Sequence, residues 1–207
     1  MNLNIIRLIL LSSATISISM AGDNITPVDI PVVPIPVDKS PFYIGVGVSA
    51  MSLLNNNTDE EFTATGITLQ AGYRYNDYIA IEGRYTRDVS AVAYENGTTL
   101  ILADNDDYPT DFTNMAIYLK PIYPIGDFSI YALLGYGEVA LTNIPIGGVT
   151  RGESGFQWGI GISYDIYDSF TIFADYSSLY SGDGFDYLAT LNSHDATLIT
   201  IGLGYRF

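Results

Sequence analysis

The chain has no cysteine among its 207 residues, so neither disulfides nor thiolate metal sites can hold it together. It has few cations, with Lys plus Arg totalling 8 against 23 Asp plus Glu and a formal charge of −15. Nucleic acids and acidic headgroups would be repelled by such a chain. A single histidine, His194, leaves little room for imidazole chemistry. Long apolar runs are missing after the N-terminus, so a helical membrane span is not expected there. At this length one domain is the expectation.

The first segment reads as a secretory leader. Arg7 precedes "LILLSSATISI", and small residues at Ser19 to Ala21 suit cleavage before Gly22. The apolar run falls short of the ~20 residues a span needs. Residues 1–21 are therefore expected to be removed, and loss of Arg7 takes the formal charge from −15 to −16. Residues 22–41 include "DNITPVDIPVVPIPVDKSP", whose prolines 27, 31, 34, 36 and 41 favour an extended path without ladder hydrogen bonds. This is read as a Pro-rich periplasmic linker.

What the sequence does have is glycine, tyrosine and alternation: 20 Gly and 17 Tyr, with a period-two pattern that recurs eight times. Expected strands are Phe42 to Leu53, Thr65 to Tyr75, Tyr78 to Arg87, Thr113 to Tyr123, Phe128 to Gly137, Ser154 to Tyr164, Ser169 to Ser177 and Ala196 to Phe207. A ten-residue strand at ~3.3 Å per residue and ~45° tilt crosses an apolar band of ~25 Å. Short links rich in turn formers (Asn76 and Asp77, Pro124 to Asp127, Asp165 to Asp168) alternate with long polar ones (Leu54 to Ala64, Asp88 to Phe112, Glu138 to Glu153, Ser178 to Asp195). The long loops then share one end of a barrel and the short turns the other.

Parity assigns the faces. In strand six Phe156, Trp158, Ile160, Ile162 and Tyr164 oppose Gln157, Gly159, Gly161 and Ser163. Along the apolar row, aromatic residues gather at strand ends. Phe42, Tyr75, Tyr123, Phe128, Tyr164, Phe170 and Phe207 lie toward the short turns, and Tyr85, Tyr136, Phe156 and Tyr176 toward the long loops. Two aromatic girdles around an aliphatic belt suit two membrane interfaces, not a soluble core. The fold class is thus all-β: an eight-stranded antiparallel up-and-down transmembrane β-barrel over residues 42–207.

The opposite row carries Arg74, Glu82, Arg84, Lys120, Asp175 and Arg206, with Tyr118, Tyr131 and Gln157. Placed inward, these six charged residues are expected to form a polar network that plugs a lumen only wide enough for side chains. Glycine pairs such as Gly135 with Gly137 and Gly159 with Gly161 fall on this row and leave room for the inward tyrosines. "GVGVSA" and "GYGEVA" match a dinucleotide fingerprint only formally, because no strand-turn-helix unit follows.

"FYIGVGVSA", "LQAGYRYNDYIAIEGRY", "IYALLGYG", "GFQWGIGISYDI" and the closing "GLGYRF" together resemble the eight-stranded outer-membrane β-barrel domain of the OmpA/OmpX-type and opacity-type proteins. The resemblance implies a Gram-negative cell outer membrane, with long loops extracellular and termini periplasmic. It implies lipids and lipopolysaccharide as surroundings, and Tyr205 and Phe207 as a C-terminal signal to the barrel-assembly machinery. A monomer is expected, without nucleic acid and without a peptidoglycan-binding domain after the barrel.

Some such barrels modify lipid A, which makes His194, flanked by Ser193 and Asp195, a catalytic candidate. Adjacent strand residues point to opposite faces, and an exposed loop histidine is the preferred reading. In "ADNDDYPTD", Asp104, Asp106, Asp107 and Asp111 are hard Ca²⁺-type ligands, but Tyr108 and Pro109 break the EF-hand pattern. The expectation is a non-enzymatic barrel with no catalytic, cofactor or metal residues. Its acidic loops would contribute to envelope integrity or surface interaction, the alternatives being a lipid A-modifying enzyme or a narrow solute pore.

Overall fold

The computed structural model describes residues 40–207 apart from 58–59, 91, 97–98, 103, 106–107, 110, 143–150, 168 and 184–192. The expected leader (1–21) and nearly all of the linker (22–41) lie outside the described residues. So do the side chains of Asp104, Asp106 and Asp107.

Eight long strands form the wall: β1 (Phe42–Asn55), β2 (Glu60–Asn76), β3 (Ile79–Asp88), β4 (Asp111–Ile125), β5 (Phe128–Thr142), β6 (Arg151–Tyr167), β7 (Phe170–Gly182) and β8 (His194–Arg206). Each pairs antiparallel with its chain neighbours, and β1 also pairs with β8, so the sheet closes on itself. Closure removes every wall edge, which a strand crossing lipid requires because nothing there can hydrogen-bond a bare backbone. The closing seam is narrow in side chains: Gly45 pairs with Gly204 and Gly47 with Gly202. At the short-turn end, Gly126 adopts φ +64°, a left-handed conformation that glycine takes without steric cost.

Alternation in burial follows the sequence parity. Along β3, Ala80, Glu82, Arg84 and Thr86 are buried while Ile79, Ile81 and Tyr85 are exposed. Phe156, Trp158, Ile160 and Ile162 of β6 are likewise exposed, the inverse of a soluble core. The girdle residues Tyr75, Tyr123, Tyr136 and Phe207 all point out. Phe170, Tyr205 and Phe207 stack edge to face at 5.0 and 5.3 Å, so the end of the chain is built into the wall.

Most strands are longer than the sequence suggested, and most of the extra length is at the long-loop end; at the short-turn end β4 runs on to Ile125 and β6 to Tyr167, into the expected turns. β2 begins at Glu60, β5 runs to Thr142, β6 begins at Arg151 and β7 runs to Gly182. Where β3 stops at Asp88, a hairpin of Ala93–Asn96 and Thr99–Leu102 takes its place and pairs with Glu60 to Thr63 of β2. In this upper part the polarity of both faces reverses. Outward positions become Thr63, Thr65, Arg87, Glu138 and Ser154. Inward positions become Met51, Leu53, Phe62, Phe112, Val139, Leu141, Leu179 and Leu198, a fully buried apolar cluster. The barrel is therefore two stacked structures on one set of strands. One is apolar outside and polar inside; the other is polar outside and apolar inside. The stretch from Glu60 to Thr65 rises ~12 Å above the belt at ~3.3 Å per residue and ~45° tilt.

This corrects the expectation of a polar interior throughout. Water surrounds the upper wall, so the hydrophobic effect fills its inside as in any soluble barrel. It also corrects the reading of His194, which is 1% exposed and opens β8 opposite Asn55 and Gly182. Ser193 precedes the strand, and Asp195 accepts a hydrogen bond from Asn56 Nδ2 at 2.8 Å.

Candidate functional site

The chemistry of this molecule is concentrated in the lower lumen. Glu82 and Arg84 are two residues apart on β3, so both point inward, and the Arg84 Nε donates to Glu82 Oε1 at 2.6 Å. Across the barrel, Asp175 of β7 accepts both terminal nitrogens of Arg84, at 2.8 and 2.9 Å. That fork-to-fork geometry is the strong form of a carboxylate–guanidinium pair. Lys120 of β4 donates to Glu82 Oε2 at 2.8 Å. Tyr43 adds a hydroxyl donor to the same oxygen at 2.6 Å, and Tyr131 donates to Asp175 Oδ2 at 2.7 Å.

Two acids and two bases cancel, and every carboxylate oxygen has a donor. Glu82 and the guanidinium of Arg84 are essentially inaccessible to water, a burial tolerable only for fully paired charges. Aromatic faces complete the packing: Lys120 Nζ sits 4.1 Å from the Tyr131 ring centroid, and Arg84 lies between the rings of Tyr118 and Phe173 at 5.8 and 6.0 Å. Glycine makes this possible. A Cβ at Gly161 would fall on the Tyr131 ring, one at Gly135 on Tyr118 and the carbonyl of Ile117, and one at Gly202 on Phe173.

Above the charges lies a layer of neutral polar groups. Thr200, Ser49, Thr68 and Thr86 form a hydroxyl chain across β8, β1, β2 and β3 with spacings of 3.0, 2.6 and 2.7 Å. Gln157 accepts from the Tyr118 hydroxyl and donates to Asn114 Oδ1 at 2.8 Å. The apolar cluster then closes the upper barrel. From the short turns to the long loops the bore thus runs charged, neutral polar, apolar, with side chains packed across it at each level.

Of the six charged residues expected in one network, the structure brings four together: Glu82, Arg84, Lys120 and Asp175. Arg74 and Arg206 stand apart at the short-turn rim. Arg74 donates to the carbonyls of Asn76 and Asp77 at 3.3 and 3.1 Å, and the Arg206 Nε to the carbonyl of Ser40 at 2.9 Å. Parity puts all six inside, but the depth of each along the barrel axis follows from register, which alternation does not encode. Tyr43, Tyr131 and Phe173 also belong to the site. Between the rim and the network is a cavity of ≈ 70 Å³ lined in part by Gln70, Arg74, Lys120, Asp165 and Arg206.

The arrangement pairs its charges within the lumen. Neither acid has an oxygen without a hydrogen-bond donor. His194 lies on the apolar level with the long-loop strands, well away from Asp175 and Glu82 along the chain of pairings. Among the described residues, no three histidine or acidic side chains converge as a metal site. Asp111, one of the loop acids, pairs with Arg87 on the outer surface at 3.0 Å.

Among solved structures, the Neisserial surface protein A (NspA) aligns with a TM-score of 0.55 at 17% identity, covering 81% of this chain and 98% of that one. OprG of Pseudomonas aeruginosa gives 0.52 at 14% identity, with 82% and 97% covered. Ail, the attachment invasion locus protein of Yersinia pestis, gives 0.50 at 19%, with 80% and 97% covered. At such identities the likeness is one of fold. A search of curated proteins found no match. A family model described as the outer membrane protein beta-barrel domain matches residues 34–207, and with the lipid-facing belt and closed sheet already in view, this chain belongs to the outer-membrane β-barrel family.

Proposed function

We propose that this protein is a non-enzymatic, non-conducting outer-membrane barrel that contributes to envelope integrity or surface interaction. Its long-loop end would be extracellular and both termini periplasmic. The observation that carries the reading is the filled bore: a paired charge network below and an apolar plug above. An ion crossing it would have to break desolvated ion pairs and then enter a hydrocarbon-like layer, both costly steps. The collar of strands above the belt supports a role in surface interaction, because it carries the strand ends beyond the lipid on a packed apolar base.

The orientation follows the rule that short turns face the periplasm. Lipids and lipopolysaccharide would contact the belt and its aromatic girdles. Tyr205 and Phe207, edge to face on the outer wall, would be read by the barrel-assembly machinery before insertion. No partner beyond the membrane and that machinery is implied, and the barrel is taken as a monomer.

Planar-bilayer recordings of the purified, folded protein test the central point. No stable unitary conductance is expected; large, stable, ion-selective openings would overturn the reading. Single cysteines tested with a membrane-impermeant maleimide on intact cells check the orientation. Labelling is expected at position 56 and not at position 127, and the reverse would invert it.

A further inference from the structure

We propose that the cavity at the short-turn mouth is a binding site for a protonated phosphate group, either inorganic phosphate or a small phosphomonoester. The chain has only 8 cations, and three of them, Arg74, Lys120 and Arg206, line this one cavity. Lys120 spends one of its three donors on Glu82. Among the described residues, neither Arg74 nor Arg206 has an acidic partner within ion-pair distance. Their hydrogen bonds go to backbone carbonyls, leaving terminal guanidinium nitrogens unused. Three cations gathered on a pocket lined by a single acid, Asp165, are the donor set an oxyanion needs.

The same cavity also offers acceptors, which narrows the class of ligand. Gln70 is 5% exposed and its Oε1 has no hydrogen-bond partner, although a buried amide is normally satisfied. Rotation about its last bond exchanges the amide oxygen and nitrogen. Asp165 lines the wall with one carboxylate oxygen taken by Thr171 at 2.6 Å and the other available. A fully ionised oxyanion such as sulfate has only acceptors and would be repelled by Asp165. A hydrogen phosphate group carries acceptor oxygens for the guanidiniums and a P–OH donor for Asp165 or Gln70. The volume of ≈ 70 Å³ exceeds the ~10–15 Å³ that one water needs and accommodates a tetrahedral group of five heavy atoms. On the topology proposed above, the mouth faces the periplasm; the binding itself does not rest on that.

The test is a ³¹P NMR and calorimetric titration of the full chain, folded in detergent and shown by heat-modifiable gel migration to be closed. Inorganic phosphate is expected to bind saturably and at least ~10-fold more tightly than sulfate, the discrimination expected from one charge-assisted hydrogen bond. Replacing both rim cations (Arg74→Gln with Arg206→Gln) is expected to weaken phosphate by at least ~10-fold. Asp165→Asn, which keeps the rim cations, is expected to narrow the preference over sulfate. Glycerol phosphate competing for the site would support a phosphomonoester ligand, and failure to compete would support free phosphate. The proposal is overturned if the folded protein shows no saturable phosphate binding, if phosphate and sulfate bind alike, or if the rim variant binds as tightly as the parent.

Discussion

Replacing Arg84 with methionine keeps much of its volume but removes the centre of the lumen network. In the native protein its guanidinium makes three charged hydrogen bonds, one to Glu82 and two to Asp175. The two acids are left in unequal positions. Glu82 retains Lys120 and Tyr43, whereas Asp175 retains only the hydroxyl of Tyr131. Stranding one buried carboxylate costs about 3–5 kcal/mol, so Arg84→Met is expected to destabilise by that amount. Asp175→Asn alone is expected to cost ~1.5–3 kcal/mol, the range for a charged hydrogen bond. In the Arg84→Met background the same change is expected to cost nothing or to restore stability, because it neutralises the stranded charge. The assay is equilibrium denaturant unfolding in lipid vesicles, followed by fluorescence of Trp158, the only tryptophan. If the two changes add to within ~0.5 kcal/mol, the pair is not coupled and the network as described does not hold the lumen together.

The remaining expectations follow from the two polarity reversals and from the glycines. Phe112→Ala is expected to destabilise by ~3–5 kcal/mol, as in a soluble core; a near-neutral result would mean that the upper interior is wet. Ile160→Arg, in the belt, is expected to cost ~2–4 kcal/mol, and Ser154→Arg, on the same face above it, ~0–1 kcal/mol; both are read by vesicle unfolding, and equal costs would misplace the membrane boundary. Gly135→Ala brings a methyl against the carbonyl of Ile117 and the Tyr118 ring and is expected to cost ~1–3 kcal/mol. Gly155→Ala meets nothing within 4 Å and is expected to stay within ~0.5 kcal/mol.

How far the fold can be read from the sequence depends on which face is followed. The outward row of β6, from Phe156 to Tyr164, identifies strand, parity and belt together, because lipid demands apolar side chains at each outward position. Strand ends drawn where that row turns polar, as at Ser154 or Thr65, fall short, since the chain continues as strand with the signal moved to the other face. Met51 with Leu53, Phe62 with Ala64, and Val139 with Leu141 carry that inward signal in plain alternation. The hairpin Ala93–Asn96 and Thr99–Leu102 pairs with β2 through backbone bonds, and nothing in its local pattern names its partner. Similarly, Arg74 and Arg84 share a parity, and only the register of β2 against β3, in which Arg84 faces Gln70 and Arg74 faces Ala80, sets one at the centre and the other at the rim. His194 is polar and sits beside turn formers, which suggests a loop; its inward position depends on β8 pairing upward as far as Asn55 of β1.

The central claim is that one continuous strand faces lipid along its lower part and water along its upper part. Because the chain has no native cysteine, a single-cysteine spin-label scan of β6 from position 152 to position 164 in bilayers measures this directly. At 156, 158, 160 and 162 the account predicts high collision with oxygen and low collision with a water-soluble nickel chelate. It predicts the reverse at 152 and 154, and protection from both at 157, 159 and 161. Chelate access at 158 and 160, or loss of the two-residue alternation, would contradict it.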